Sequence, residues 1–396
     1  MTHSLKIRRF LICCSFAPSL IRFRGDLLDS CLAKGVDIIA VAPSFDEETL
    51  LWCKKRNIIT ETIPLQSQGL NVFKDLKSMA SLFKVIKKHK PDVTMGYTHK
   101  PALYTAYMSF LAGVKHRTMM VTGLGFGFEP GPSKFAKILP IITRNMFRIG
   151  SFCCHKVIFH NKDNRDYFLK DRLTLSANKT IVVGGSGVHV QNFSFSPLRK
   201  KDPNKLTFLL IARLVRYKGI LEFAKAAEKL KQDYPQAVFR LIGYRDKSPI
   251  GYSAEEFEFI SAQLEFLGRR DDIHDQIKET DIYVLPSYGE GLPRTVLEAM
   301  ATGRAIITSD TYGCRSTVDE AENGILIQPR DWKSLEKGLS RFLSGELDPI
   351  SMGKLSRKKV LEEFDVKIVN HQMMTALNIL KENDKLISSS TTISQL

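Results

Sequence analysis

An α/β chain built from two doubly wound, Rossmann-like parallel-sheet domains is the fold class that this sequence predicts, and three observations predict it. Short apolar runs of strand length alternate with amphipathic stretches, the pattern left by parallel strands and their crossover helices. That series occurs twice, on either side of the glycine-rich break Gly184-Gly-Ser-Gly-Val188. Finally, 396 residues exceed the size at which a single hydrophobic core usually stops growing, so two domains of about 200 residues each are expected.

In the first series the strands are expected at Phe10–Cys14, Asp37–Val41, Val93–Gly96, Thr118–Thr122 and Lys156–His160, with helices at Gly25–Lys34 and Leu70–His89 among the gaps. Pro197, Arg199-Lys-Lys201 and Pro203 extend the glycine-rich break into a linker near 185–203. The second series places strands at Leu206–Ile211, Val238–Ile242, Glu265–Leu267, Asp281–Leu285, Ala305–Thr308 and Gly324–Ile327. A helical pattern over about 352–382 closes the chain, with a Ser/Thr-rich end expected to fray. The division that follows is an N-terminal domain over 1–190, a second domain over 191–365, and a C-terminal helix over 366–396 that packs back on the first domain.

Composition narrows the function classes. The formal net charge is +16, which favours polyanions: nucleic acid, an anionic membrane surface or phosphorylated substrates. Seven cysteines show no CxxC or Cys/His spacing that would suit zinc, so a reduced, cytoplasmic setting with no bound metal is expected. The apolar run Phe10–Ala17 is followed by Arg22-Phe-Arg-Gly-Asp26 without a small-residue cleavage site, and it reads as a strand rather than a signal peptide. Nowhere do about 18 uncharged apolar residues run together, so no transmembrane helix is expected.

The segment richest in chemistry is Asp281-Ile-Tyr-Val-Leu-Pro-Ser-Tyr-Gly-Glu-Gly-Leu-Pro-Arg-Thr-Val-Leu-Glu298. A buried strand leads into a glycine-flanked loop carrying Glu290, and Pro293 is suited to the first helical position. Backbone N–H groups around Leu292, Arg294 and Thr295 then make the positive end of a helix, a site for a diphosphate. Glu290 stands just before that end. Glu298 stands between one and two turns inside it, where a carboxylate can accept hydrogen bonds from ribose hydroxyls.

These residues carry a resemblance. Glu290 and Glu298, within Glu-Gly-Leu-Pro-Arg-Thr-Val-Leu-Glu, resemble the paired-glutamate motif of retaining GT-B glycosyltransferases of family 4, whose two Rossmann-like domains face each other across a cleft. Ile211-Ala-Arg-Leu-Val-Arg-Tyr-Lys-Gly219 looks like that family's segment in which an arginine and a lysine hold the donor diphosphate. The likeness continues through Leu241-Ile-Gly243, Phe266-Leu-Gly268 and Gly313-Cys-Arg315 with Asn323-Gly324. In the first domain, Phe23-Arg-Gly25, Thr98-His-Lys-Pro101 with Tyr104, Thr122-Gly-Leu-Gly125 and Gly185-Ser-Gly-Val188 are similar to transferases that extend undecaprenyl-diphosphate-linked sugars. The family's double glycine after the first strand is reduced to Gly25 here. His189 and Tyr312 replace a common aspartate and proline.

The resemblance implies a hexosyltransferase-type enzyme that moves a sugar, an N-acetylhexosamine on UDP, to a lipid-linked saccharide for surface polysaccharide or glycoconjugate synthesis. It implies Glu290, Arg213 and Lys218 as catalytic residues, with Glu298, Gly291, Leu292, Pro293, Arg294, Thr295, Gly243 and Gly268 binding donor. Gly25, His99, Lys100, Gly123 and Gly125 are implied on the acceptor or diphosphate side. No cofactor is implied. The expected partners are a nucleotide sugar, a polyprenyl-diphosphate-linked saccharide and the inner-leaflet membrane surface, with the enzyme peripheral on the cytoplasmic face of the inner membrane. Basic residues among apolar ones over Lys134–Arg148 suit such a surface.

Other classes compete on weaker features. A basic nucleic-acid-binding protein is suggested by charge alone, but the basic residues are dispersed and no nucleic-acid motif occurs. A dinucleotide-dependent oxidoreductase lacks a Gly-x-Gly-x-x-Gly after the first strand. A catalytically inactive nucleotide-sugar-binding relative stays open at this stage.

Overall fold

The computed structural model describes residues 7–66, 71–124, 126–128, 134–174, 176–199, 202–246, 248–381 and 384. Gly125, expected near the acceptor, lies outside them. The chain divides into two compact units: one runs to Ser186 and takes the chain back at Lys367, and the other spans Gly187–Val366.

The first unit carries strands β1 (Arg9–Cys13), β2 (Asp37–Ala42), β3 (Ile59–Thr62), β4 (Val93–Tyr97), β5 (His116–Val121), β6 (Lys156–Phe159) and β7 (Thr180–Val182). Its helices are α1 (Gly25–Ala33), α2 (Glu47–Lys55), α3 (Val72–His89), α4 (His99–Leu111), α5 (Lys134–Cys153) and α6 (Lys162–Lys170). All strand pairs are parallel, in the order β3-β2-β1-β4-β5-β6-β7. Alternate residues of β1 feed opposite faces, as strand geometry requires. Phe10 and Ile12 pack in a cluster with Leu28 of α1, whereas Leu11 and Cys13 pack in one with Leu82 of α3 and Phe147 of α5.

The second unit carries β8 (Thr207–Ile211), β9 (Val238–Ile242), β10 (Glu265–Phe266), β11 (Ile282–Leu285), β12 (Ala305–Ser309) and β13 (Gly324–Ile327). Its helices are α7 (Ile220–Asp233), α8 (Ala254–Gln263), α9 (Ile273–Lys278), α10 (Arg294–Thr302), α11 (Trp332–Leu343) and α12 (Pro349–Lys359). The sheet order is β10-β9-β8-β11-β12-β13, again parallel throughout. In each unit the strand order reverses beside the first strand, between β1 and β4 and between β8 and β11. Open parallel sheets bind ligands outside the carboxyl ends of strands at such a switch point.

Three local expectations need correction. The strands β3 and β7 lie in stretches where no strand is expected. The C-terminal pattern over 352–382 is not one helix: α12 passes through a π turn at Val360–Phe364, and Asp365 is extended before α13 (Val366–Ala376) begins. The break has a partner, because Val188 N–H donates to Phe364 O (2.9 Å) and Val366 N–H donates to Val188 O (3.0 Å). Third, Pro293 is the residue that caps α10 (φ −75°, ψ 109°) and not its first helical position.

Beyond that break, Val369, Met373, Leu377 and Leu380 pack in the same cluster as Phe10, Met95 and Tyr97 of the first sheet. In helix α3, Asn71 accepts from Lys74 N–H (3.1 Å). This cap sets the helix start at Val72 rather than Leu70.

Candidate functional site

The loops that follow β8 and β11 are tied together by backbone. Tyr288 N–H donates to Tyr217 O (2.8 Å), and the Ser287 hydroxyl donates to the same carbonyl (3.0 Å). Their approach depends on Gly219, which closes the short turn Arg216–Lys218 at φ +71°. A Cβ there would lie 2.1 Å from the Pro286 carbonyl oxygen, so only glycine fits. The turn aims Lys218 at the next loop, where its Nζ donates to Glu290 Oε1 (2.5 Å) with both side chains largely covered.

Glu290 is also held through its backbone, whose N–H donates to Tyr312 O (3.1 Å). Gly313 sits alongside at φ +76°, where a Cβ would meet the carbonyl oxygens of Glu290 and Gly291 at 2.4 and 2.5 Å. The carboxylate expected to stand before the helix end is therefore clamped between two loops. Arg213, on the loop after β8, donates to the Tyr217 hydroxyl (2.7 Å) and pairs with Asp246 (3.5 Å). A hydrogen bond from Ser248, followed by Arg213, holds the Asp246 carboxyl below its ordinary range.

Helix α10 begins at Arg294, next in sequence to Pro293, whose carbonyl accepts from Val296 N–H (3.1 Å) and Leu297 N–H (3.3 Å), and its N-terminus carries the positive end of the helix dipole. Leu292 packs against the cluster behind the helix, which also holds Val296, Leu297 and Met300. Glu298 lies one turn in, buried, and accepts from Arg294 Nε (3.1 Å). Burial pushes its carboxyl up to about 7, and Arg294 opposes that rise. Beneath it Tyr283 is wholly buried, and its hydroxyl donates to Ile211 O (3.2 Å). Gly243 and Gly268 end β9 and β10 and are joined by Gly243 N–H to Gly268 O (2.9 Å). At Gly243 a Cβ would fall 1.9 Å from Ala212 O, so this glycine lets the β8 and β9 loops run side by side.

The structure thus gathers Arg213, Lys218, Glu290, Arg294 and Glu298 at the carboxyl ends of β8 and β11, beside the switch point of the second sheet. Chemically this is a cationic rim over a helix tip with one covered carboxylate at each side, an arrangement that suits a diphosphate ester. Tyr217 and Asp246, which orient Arg213, and Tyr283 beneath are not among the site residues expected from sequence. Position gave a signal only for Tyr217, which stands between Arg213 and Lys218.

In the first unit the expected residues separate. His99 opens α4 and donates from Nε2 to Gly123 O (3.1 Å), with its ring edge-on to Phe147 (centroids 5.6 Å apart). Burial lowers its basicity, against the pull of the Gly123 and Leu124 carbonyls, so the ring is neutral. The residue preceding it, Thr98, has φ +67° and ψ 164°, a region that is essentially glycine-only, and its hydroxyl lies 3.0 Å from that of Ser15. By contrast, Lys100 pairs with Asp75 of α3 (2.7 Å), with both side chains mostly covered. It ties α4 to α3. Gly25 is buried at the start of α1, and a Cβ there would lie 3.5 Å from the ring of Trp52. Among the described residues no three His, Cys, Asp or Glu side chains come together as a metal site.

Known proteins resemble this chain in sequence and in fold. Residues 192–359 match the family model described as glycosyl transferases group 1. The chain is 29% identical to N,N'-diacetylbacillosaminyl-diphospho-undecaprenol alpha-1,3-N-acetylgalactosaminyltransferase of Campylobacter jejuni, over 94% of this chain and 97% of that protein. It is 28% identical to UDP-Gal:alpha-D-GlcNAc-diphosphoundecaprenol alpha-1,3-galactosyltransferase of Escherichia coli, over 77% of this chain and 79% of that protein. Among solved structures it resembles HepE of Anabaena in complex with UDP, with a TM-score of 0.71 at 18% identity over 94% of this chain and 100% of that one.

Proposed function

We propose that this chain, a glycosyltransferase of the GT-B fold with a group 1 domain at residues 192–359, moves an N-acetylhexosamine from a UDP-sugar to a saccharide linked through diphosphate to a polyprenol. The observation that carries the proposal is the Lys218–Glu290 pair at the tip of α10, with Arg213 beside it. Two relatives, matched over 94% and 77% of this chain, act, by their names, on sugars joined to undecaprenol through diphosphate, and this supports the acceptor class.

With no donor bound, Glu290 neutralises the Lys218 ammonium. An arriving diphosphate offers that ammonium a stronger anion, and Glu290 is released to accept hydrogen bonds from hydroxyls of the transferred sugar. Glu298 receives the ribose hydroxyls. The reaction breaks the bond between the anomeric carbon and the leaving phosphate oxygen, and forms one from the acceptor hydroxyl oxygen to the same carbon. The acceptor's proton passes to the leaving phosphate, on the face it departs from, so the anomeric configuration is retained. Negative charge grows on the leaving diphosphate, and Arg213, Lys218 and the α10 N-terminus stabilise it at fixed positions; a single such donor commonly contributes about 3 to 4 kcal/mol. His99 and the Gly123 turn are the acceptor-side candidates of the first unit. Because the acceptor is anchored in lipid, the enzyme works as a peripheral protein at the cytoplasmic face of the inner membrane. None of the described helices is long and apolar enough to cross a membrane.

A panel of nucleotide sugars, assayed for nucleotide release with and without a polyprenyl-diphosphate saccharide, tests the reading. Release from UDP-N-acetylhexosamine that depends on the acceptor is the expected result. Release from no nucleotide sugar, with the lipid-linked acceptor supplied, contradicts it.

A further inference from the structure

Helix α5 has two apolar faces. Leu139, Thr143, Phe147 and Gly150 turn inward, and Phe147 is fully buried. The opposite side of a domain's surface helix normally carries polar residues. Here Ile138, Ile141, Ile142, Ile149 and Phe152 are exposed instead, Ile141 by 58%, Ile149 by 57% and Phe152 by 67%. At about 100° per residue these positions fall within an arc of about 100°, a stripe along the helix that the exposed Asn145 interrupts between Ile142 and Ile149. The stripe continues onto the end of α4, where the Phe110 ring lies 6.2 Å from that of Phe152 and Leu111 is 65% exposed. Exposed apolar surface of this extent marks an interface.

Charge identifies the occupant. Lys137, Arg144 and Arg148 lie together along one flank of the stripe, and α5 contains no Asp or Glu anywhere in its length. Arg144 also pairs with Asp171 (3.4 Å) and Arg148 donates to Arg172 O (3.0 Å), which holds both side chains along that flank. At the other end, Arg117 stacks over Phe110 (5.3 Å to the ring centre). An apolar stripe flanked by Lys137, Arg144 and Arg148, of which Arg144 is paired with Asp171, is the pattern of a helix that lies in an anionic lipid interface. We infer that the outer face of α5, with Phe110 and Leu111, is the surface by which this enzyme docks on an anionic phospholipid bilayer. The inference rests on the proposed lipid-linked acceptor and adds the part of the molecule that reaches it.

Co-sedimentation with vesicles tests this, using phosphatidylcholine alone and phosphatidylcholine mixed with phosphatidylglycerol. The full chain is compared with the triple variant Ile141→Gln/Ile149→Gln/Phe152→Gln and with Lys137→Glu. Wild type is expected to bind the anionic vesicles. The triple variant should lose at least about tenfold in partitioning, since its apolar side chains no longer enter lipid. Lys137→Glu should lose about tenfold on anionic vesicles alone. Nucleotide release with a short-chain, water-soluble acceptor should be unchanged in both, showing an intact fold and active site. If the variants bind as wild type does while wild type binds well, this surface is wrong and the peripheral reading stands. If wild type binds no vesicle, both fail. If wild type is a dimer that the triple variant dissociates, the face covers a second copy and the inference is overturned.

Discussion

Glu298 shows how one buried side chain can set a pH dependence. Its carboxyl titrates near 7 because α10 and the sheet beneath it exclude water, an effect that Arg294 offsets only in part. Ribose hydroxyls donate best to the ionised form, so UDP-sugar affinity should rise with pH through about 7. Glu298→Gln should flatten that rise, as isothermal titration at pH 6 and pH 8 would show; a profile unchanged by the substitution counts against the ribose role. The same shift acts on stability in the opposite sense. The folded state holds this proton more tightly than the unfolded chain, so the group's contribution is largest below pH 4.5 and is lost as pH rises to about 7. A second residue acts through shape alone. Gly219→Ala, forced against Pro286 O at positive φ, should cost about 2 kcal/mol or more and weaken donor binding; urea unfolding and titration with UDP would detect both losses.

At the scale of elements, the sequence is most legible where a strand is a buried apolar run, and it fails at the two edges of the first sheet. Strands β8, β11 and β12 are nearly continuous apolar runs and stand within a residue of where the pattern puts them. The missed strands are sheet edges: β3 reads Ile-Thr-Glu-Thr and β7 is three half-buried residues, so neither shows an apolar run or a clean alternation. The break at Asp365 escaped for another reason. It is made by pairing with Val188, which is distant in sequence, and helical periodicity on its own strand of chain carries no trace of it. Past that break α13 serves the first unit. Leu377 just beyond it is fully buried against the first sheet's core, so Leu377→Ala should cost about 2 to 5 kcal/mol. Thermal unfolding is expected to show that loss, and an unshifted midpoint would mean the segment is not part of that core.

Across the whole molecule, buried charge bears on acid stability. Arg24 lies in the first unit's interior, donating to Gly185 O (3.4 Å) and to His160 Nε2 (3.0 Å), with its guanidinium over the Tyr97 ring. Burial, helped by Arg24, brings His160 down to about 3. The folded state therefore binds this proton more weakly than the unfolded chain, and stability present above pH 6.5 is lost as pH falls toward 3. His160→Gln should make the urea midpoint less sensitive to pH between 6.5 and 4, and an unaltered pH slope would show that the ring is not buried neutral.

The gathering of Arg213, Lys218, Glu290 and Glu298, the proposed donor end, was readable as a placement, since all four lie in two short segments that follow strands. Tyr217 and Asp246, which hold Arg213, depend on which loops the sheet order brings together, and so does the pairing of Lys100 with Asp75 of α3 in the first unit. The account rests on cations fixed where a diphosphate departs. Lys218→Met, measured for UDP-sugar affinity and for single-turnover transfer rate with folding checked by circular dichroism, tests that most directly. A fall of about 100-fold or more in the transfer rate, larger than any loss of affinity, is predicted. Transfer at the wild-type rate by a folded Lys218→Met protein would contradict it.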